Sequence, residues 1–316
     1  MRGDSFSGAL AVCPGSVDGL KRKLAPSIYP DVLALTLSFG ASLAWGSADF
    51  LAGLECRRRT LLSVMLVSQF AGVVLSVPFM LLFGGMPPQP GYALLGMLAG
   101  LLYVIGLGAL YRGLAGGTMG IVAPIAATDA LVPVTFGLLA GERPSLVVML
   151  GIAVAVGGVV VVAVAGDEHS ERQAGRDSHA RSVAFGLIAA AGFGGFVVAL
   201  DAASAGGALW AAGYTRLMSV LALGLGVIAM RQRIEFARRD TLPLLAIGGL
   251  DIGATALFAL ATTTGLLSVV GVFGSLYPVF TVLLAMVVLR EQPTVTQRMG
   301  TGAALAGALL IAAAWT

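Results

Sequence analysis

The sequence predicts an all-α membrane protein of ten transmembrane helices, built as two inverted five-helix repeats. Three observations predict it. Of the 316 residues 58% are hydrophobic and only 11% are charged, with a mean hydropathy of +0.94. A water-soluble core cannot hide that much apolar surface, so the solvent is lipid. The chain also lies over itself without a gap. A shift of 149 positions (291 minus 142) places Glu142 on Glu291, Pro144 on Pro293, Gly151 on Gly300 and Gly158 on Gly307. Finally, one long polar interruption, Gly166 to Arg181, divides five apolar segments from five. With an odd number of crossings in each half, the halves enter the membrane in opposite orientations.

Crossing a hydrocarbon core takes about 20 helical residues, and apolar stretches of that length are bounded here by charge, Pro or Gly. The first, Val32 to Leu54, follows Lys21-Arg22-Lys23 and Pro30 and stops before Arg57-Arg58-Arg59. Leu61 to Phe83 ends at Gly84-Gly85, and Tyr92 to Tyr111 ends at Arg112. Thr118 to Ala140 closes on Gly141-Glu142-Arg143-Pro144, and Leu146 to Ala165 runs into the polar interruption. The second half repeats the scheme with Val183 to Asp201, Ala208 to Met230, Leu242 to Thr263, Leu266 to Leu289 and Val295 to Trp315. The resulting organisation is a polar extension over 1–31, a first repeat over 32–165, a linker over 166–182 and a second repeat over 183–316. The linker's charge makes it a solvated, flexible segment.

No cleaved signal peptide is expected. The apolar run Ala9 to Cys13 is shorter than the roughly 7 residues such a core needs, and Val12 stands where a lipoprotein site needs a small residue. Gly reaches 44 residues, which suits helices that approach closely in lipid, with Gly96/Gly100, Gly113/Gly117, Gly137/Gly141 and Gly249/Gly253 at the relevant spacing.

The net charge of +3 sits in short segments between apolar stretches, so it reports membrane orientation and not nucleic acid. The basic residues after odd-numbered helices favour an external amino terminus, whereas the Lys21-Arg22-Lys23 cluster is a local inside signal. Cys13 and Cys56 are too few for a disulfide framework and lack metal-ligand spacing, so no metal and no cofactor is expected. Both histidines, His169 and His179, fall in the linker, and neither HExxH nor a GxxxxGK[ST] phosphate loop occurs. An intramembrane enzyme and a self-contained ATP-driven pump are thereby disfavoured.

The string Ala44-Trp45-Gly46-Ser47-Ala48-Asp49-Phe50 opens the first helix's second half. Each half then continues to a Gly-Glu-Arg-Pro or Arg-Glu-Gln-Pro turn and a Gly-rich closing helix. From Val32 to Trp315 this resembles the EamA-type proteins of the drug/metabolite transporter superfamily. Ser275-Leu276-Tyr277-Pro278-Val279-Phe280 is similar to that family's Ser-x-x-Pro-Val-Phe element. The first half departs there, with Asp129 where the shift puts Pro278. The resemblance implies ten helices around a central cavity, alternating access, export or exchange of small metabolites or drugs, and cytoplasmic termini. The expected protein is multi-pass in the bacterial cytoplasmic membrane, with lipid and a small-molecule substrate as partners.

An ionisable side chain near the bilayer centre costs at least about 2.5 kcal/mol, so each needs a partner, a cavity or a proton. Asp129 lies about eleven residues from either end of its segment, between Pro124 and Pro133, each of which frees a backbone carbonyl. It is either a substrate or proton site or a kink paired to Arg216 or Arg112. Asp49 follows Trp45 by four residues, which puts carboxylate and indole on one helix face; the alternative is an interhelical acceptor. Asp251, between Gly249 and Gly253, reads as packing, and with Arg216 and Asp201 it completes the candidates for intramembrane pairing. Tyr103, Thr128, Tyr214, Ser275 and Tyr277 are the remaining deep polar groups, candidates for substrate contact or interhelical glue. Glu142 and Glu291 read as structural, carboxylates set at the amino terminus of the helix that follows each.

A carboxyl group in a cavity can alternate between substrate and proton, so proton coupling is expected. The excess of acid over the single deep Arg points to amines, amino acids or cationic drugs over phosphorylated sugars. A non-transporting scaffold or regulatory subunit is the alternative, and it would need no cavity.

Overall fold

The computed structural model describes residues 29–56, 58–116, 122, 125–165, 176–234, 241–290 and 294–315. The elements among them are helices: α1 (Tyr29–Cys56), α2 (Leu61–Phe83), α3 (Pro90–Gly116), α4 (Leu131–Leu139), α5 (Leu146–Ala165), α6 (Arg176–Ser204), α7 (Ala208–Ala229), α8 (Thr241–Thr264), α9 (Leu267–Gly274), α10 (Tyr277–Val288) and α11 (Val295–Trp315). Among the described residues seven spans are long and apolar enough to cross a membrane, drawn from α2, α3, α5, α6, α7, α8 and, taken together, the successive helices α9 and α10. Large apolar side chains such as Phe70, Phe79, Leu82, Leu225, Ile228 and Leu242 stand exposed on the outside of the bundle. In water that surface would drive aggregation; against acyl chains it is solvated. The chain is an integral, multi-pass membrane protein.

Helix bounds recur at the sequence shift. Adding 149 to α5 gives 295–314, against Val295–Trp315 for α11, and adding it to α3 gives 239–265, against Thr241–Thr264 for α8. Packing is reciprocal in the same sense: α1 lies on α8 as α6 lies on α3, α2 on α8 as α7 on α3, and α4 on α6 as α9 and α10 lie on α1. The most extensive contacts in the molecule join one half to the other.

The glycines that carry the sequence overlay explain one of these contacts. In the α5–α11 interface a Cβ on Gly158 would collide with the backbone of Ala304 and Gly300, and one on Gly307 with the backbone of Ala155 and Gly151. Residues early in one helix meet residues late in the other, so the pair crosses antiparallel with its backbones in contact. Gly96 and Gly100 likewise admit α7 against α3. Gly249 and Gly253 do not act this way: a Cβ on Gly253 would meet open space, and it is Gly248 that approaches the backbone of Ser68 and Gly72 in α2.

Both halves break a helix at the same level. The second half breaks at Ser275-Leu276, between α9 and α10, and the carbonyls of Phe273 and Gly274 accept from Ser42 Oγ of α1 at 2.5 and 2.7 Å. Gly46 lets α10 approach α1, since a Cβ there would strike the Tyr277 carbonyl and Phe280. The first half breaks in a turn over 127–130 ahead of α4, and that turn carries Asp129. Pro133 belongs to α4 and packs on Gly271, whereas Pro124 lies outside the described residues, as do Glu291 and Pro293. The sixth helix starts at Arg176, so part of the segment expected as linker is helical; His169 falls outside the described residues.

Candidate functional site

Between the two halves lies a cavity of about 390 Å³, within the roughly 300–1,000 Å³ typical of small-molecule sites. Its walls come from both halves: Trp45 and Asp49 of α1, Tyr103 of α3, Asp129 of the first-half turn, Phe193 and Phe196 of α6, Asp251 of α8, and Ser275 and Tyr277 at the second-half break. The cavity runs from the middle of the bundle, at Tyr103, Phe193 and Asp251, toward one end. The cavity reaches past Gly53 and Cys56 at the end of α1, Leu61 at the start of α2 and Leu110 in the latter part of α3, and Asp49 and Gly53 are exposed. The other end is shut by close-packed side chains, among them Ala34, Ala41, Ala99, Leu200, Ala203 and Phe258.

Aromatic rings line the closed side of the cavity. Trp45 lies 5.5 Å from Phe258 and 6.1 Å from Phe196, and Tyr103 lies 5.4 Å from Phe196 and 6.2 Å from Phe193, centroid to centroid. Edge-to-face and tilted contacts of this kind fix the rings, leaving few rotamers to be ordered by a ligand.

Beneath the rings sits a buried polar cluster. Arg216 of α7, 1% exposed, grips Asp251 of α8 with both arms: Nη1 donates to Oδ2 at 2.7 Å and Nη2 to Oδ1 at 2.8 Å. The remaining acceptor capacity of the carboxylate is filled by Trp45 Nε1 at 3.1 Å and Gln69 Nε2 at 2.7 Å. Arg216 also donates to Gln69 Oε1 at 2.6 Å and to Thr255 Oγ1, and its guanidinium lies 5.3 Å from the Tyr103 ring centroid. Four helices are thus tied at one point, and a planar bidentate fork suits the carboxylate it meets.

Of the residues singled out in the sequence, Asp129, Asp49, Trp45, Tyr103, Ser275, Tyr277 and Asp251 border the cavity. Thr128 does not: its hydroxyl donates to the Ile125 carbonyl at 2.6 Å and stitches the turn. Tyr214 is stacked on Trp210 at 5.9 Å, beside α3 and away from the cavity. Asp201 lies toward the closed end of α6. The alternative pairing of Asp129 with Arg216 is overturned, because Asp251 occupies that guanidinium. The carboxylate of Glu142 does meet a helix amino terminus, but not that of the helix following it. Oε1 and Oε2 accept from Leu267 N and Ser268 N at 2.7 and 3.0 Å, capping α9 of the opposite half.

Sequence reading missed Gln69, Phe193 and Phe196. Gln69 carried a usable signal, being the one amide in α2, whose other polar residues are three serines. The two phenylalanines carried none, since nothing in their spacing separates a cavity wall from a lipid face.

Three comparisons bear on the molecule. Residues 180–313 match the model of the EamA-like transporter family. A solved structure, titled only "Crystal structure of protein", superposes with a TM-score of 0.74 at 18% identity, over 89% of this chain and 96% of that one; the likeness is one of fold. No curated protein matches the sequence.

Proposed function

We propose, for a chain whose residues 180–313 match the model of the EamA-like transporter family, a secondary transporter that moves small metabolites or drugs across the bacterial cytoplasmic membrane by alternating access. The observation that carries this reading is the cavity shared by both halves, reached from one end of the bundle and packed shut at the other. The architecture behind it is ten spanning helices in two inverted five-helix repeats, supported by the reciprocal packing of the halves and by bounds that recur at 149 positions. Binding sites at a repeat interface, beside broken helices, are the expected arrangement for such carriers. Asp129 and Asp49 are the groups that exchange substrate for a proton, in the direction of export or exchange.

Flux into proteoliposomes tests this. Wild-type protein should accumulate at least one solute from a radiolabelled panel of amines, amino acids and nucleosides when a pH gradient is imposed. Asp129→Asn, folded and inserted, should lower that uptake at least tenfold. Uptake equal to that of empty liposomes across the panel would refute carriage, and full activity in Asp129→Asn would remove Asp129 from it.

A further inference from the structure

We infer that the cavity takes an aromatic amine, one positive charge on an apolar ring and no carboxylate, a substrate class that rests on the transporter reading and narrows it. Three carboxylates border the cavity, those of Asp49, Asp129 and Asp251. One is cancelled within the protein. Both oxygens of Asp251 are occupied by Arg216, Trp45 and Gln69, and the four terminal hydrogens of Arg216 are directed at Asp251, Gln69 and Thr255. Arg216 therefore has no terminal donor left for a ligand.

Asp129 stands differently. It is 7% exposed, opens on the cavity, is approached by the backbone N–H of Ala130, and faces no cation among the described residues. Asp49 adds a second carboxylate in the same space, exposed to it. A cation entering there meets two carboxylates for which no ion pair is formed among the described residues, and at the nearly buried Asp129 opposite charges attract more strongly than in open water.

The walls select further. Trp45, Tyr103, Phe193, Phe196 and Tyr277 give the cavity ring faces on which an ammonium group and an aromatic body can both rest. No Lys or Arg borders the cavity among the described residues. A ligand carboxylate would thus face Asp49 and Asp129 without a cation to receive it, and the Ser275 hydroxyl is already directed at the Val272 carbonyl at 2.9 Å. An amino acid pays for its carboxylate there; the matching amine does not.

Three ligands with the same ring separate the charges: phenethylamine, phenylalanine and 3-phenylpropionate. Titrated calorimetrically into the purified full-length protein, phenethylamine should bind at least tenfold tighter than phenylalanine, and 3-phenylpropionate should give no heat. Asp129→Asn and Asp49→Asn, each checked for native helical content and a single gel-filtration peak, should each weaken phenethylamine at least tenfold. Phenylalanine or 3-phenylpropionate binding as tightly as the amine would overturn the inference, as would undiminished amine binding in both variants or no binding of phenethylamine to wild type. In any of these cases, flux of another solute in proteoliposomes would leave the transporter reading standing.

Discussion

Arg216 shapes the cavity by being spent elsewhere. Its ion pair with Asp251 turns two charges in the membrane interior into one neutral unit whose terminal guanidinium hydrogens are all directed, leaving only the buried Nε–H without a partner, and the same unit orients Trp45 through its indole N–H. Buried pairs of this kind are costly to break by halves, because the orphaned partner keeps its charge where water cannot reach it. Arg216→Met should therefore cost about 3–5 kcal/mol of stability, read as a large fall in detergent thermal unfolding temperature. The double variant Arg216→Met, Asp251→Leu should regain most of the loss. A double variant no more stable than the single one would show that the pair is not the source. The sequence made both residues visible as rare charges in apolar segments, but their pairing was not legible. Positions 35 apart on different helices have no periodic relation, and Arg216 could as well be set against Asp129.

At the scale of elements, the halves are joined by devices that a hydropathy profile does not register. Glu142 lies in the turn before α5, yet its two oxygens receive the first free N–H groups of α9 in the other half. The carboxylate thereby satisfies donors that a helix leaves open and meets the positive end of its dipole. Glu142→Ala should destabilise by about 1–2 kcal/mol, the usual cost of removing such a cap, and should loosen α9 first. Amide exchange measured along the chain checks this: faster exchange at Leu267 to Val270 is expected, and a change confined to α5 would contradict the assignment. Helix positions themselves were readable, because 20-residue apolar runs and Gly or Pro punctuation obey the thickness of the bilayer. The break at Ser275-Leu276 was legible only in part: Pro278, in the first turn of α10, has no N–H to offer the Gly274 carbonyl, but that Ser42 of another helix takes up this carbonyl and that of Phe273 leaves no trace in the sequence. The start of α6 within the expected linker was missed for a related reason, because Arg176 to Arg181 is polar and a helix can continue into the interface.

For the whole molecule, the two halves share a frame and differ in chemistry. Subtracting 149 from Arg216 and Asp251 gives Val67 and Leu102, and adding it to Asp129 gives Pro278. Helix bounds and packing recur at that shift, while these charged groups belong to one half each. For the proposed carrier that division has a use: similar halves could exchange positions about the interface, while unlike side chains keep one ligand site. Gly53 stands at the open end of the cavity, and its counterpart 149 positions on is Ala202, near the closed end of α6. The most direct test of alternating access is the side from which each position reacts. Single cysteines at Gly53 and Ala202, in a background lacking Cys13 and Cys56, would be exposed to a membrane-impermeant maleimide from either face of membrane vesicles. Alternating access through an inverted repeat predicts that Gly53→Cys reacts from one face and Ala202→Cys from the other. Reaction of both from the same face, or protection of Ala202→Cys from both, would contradict it.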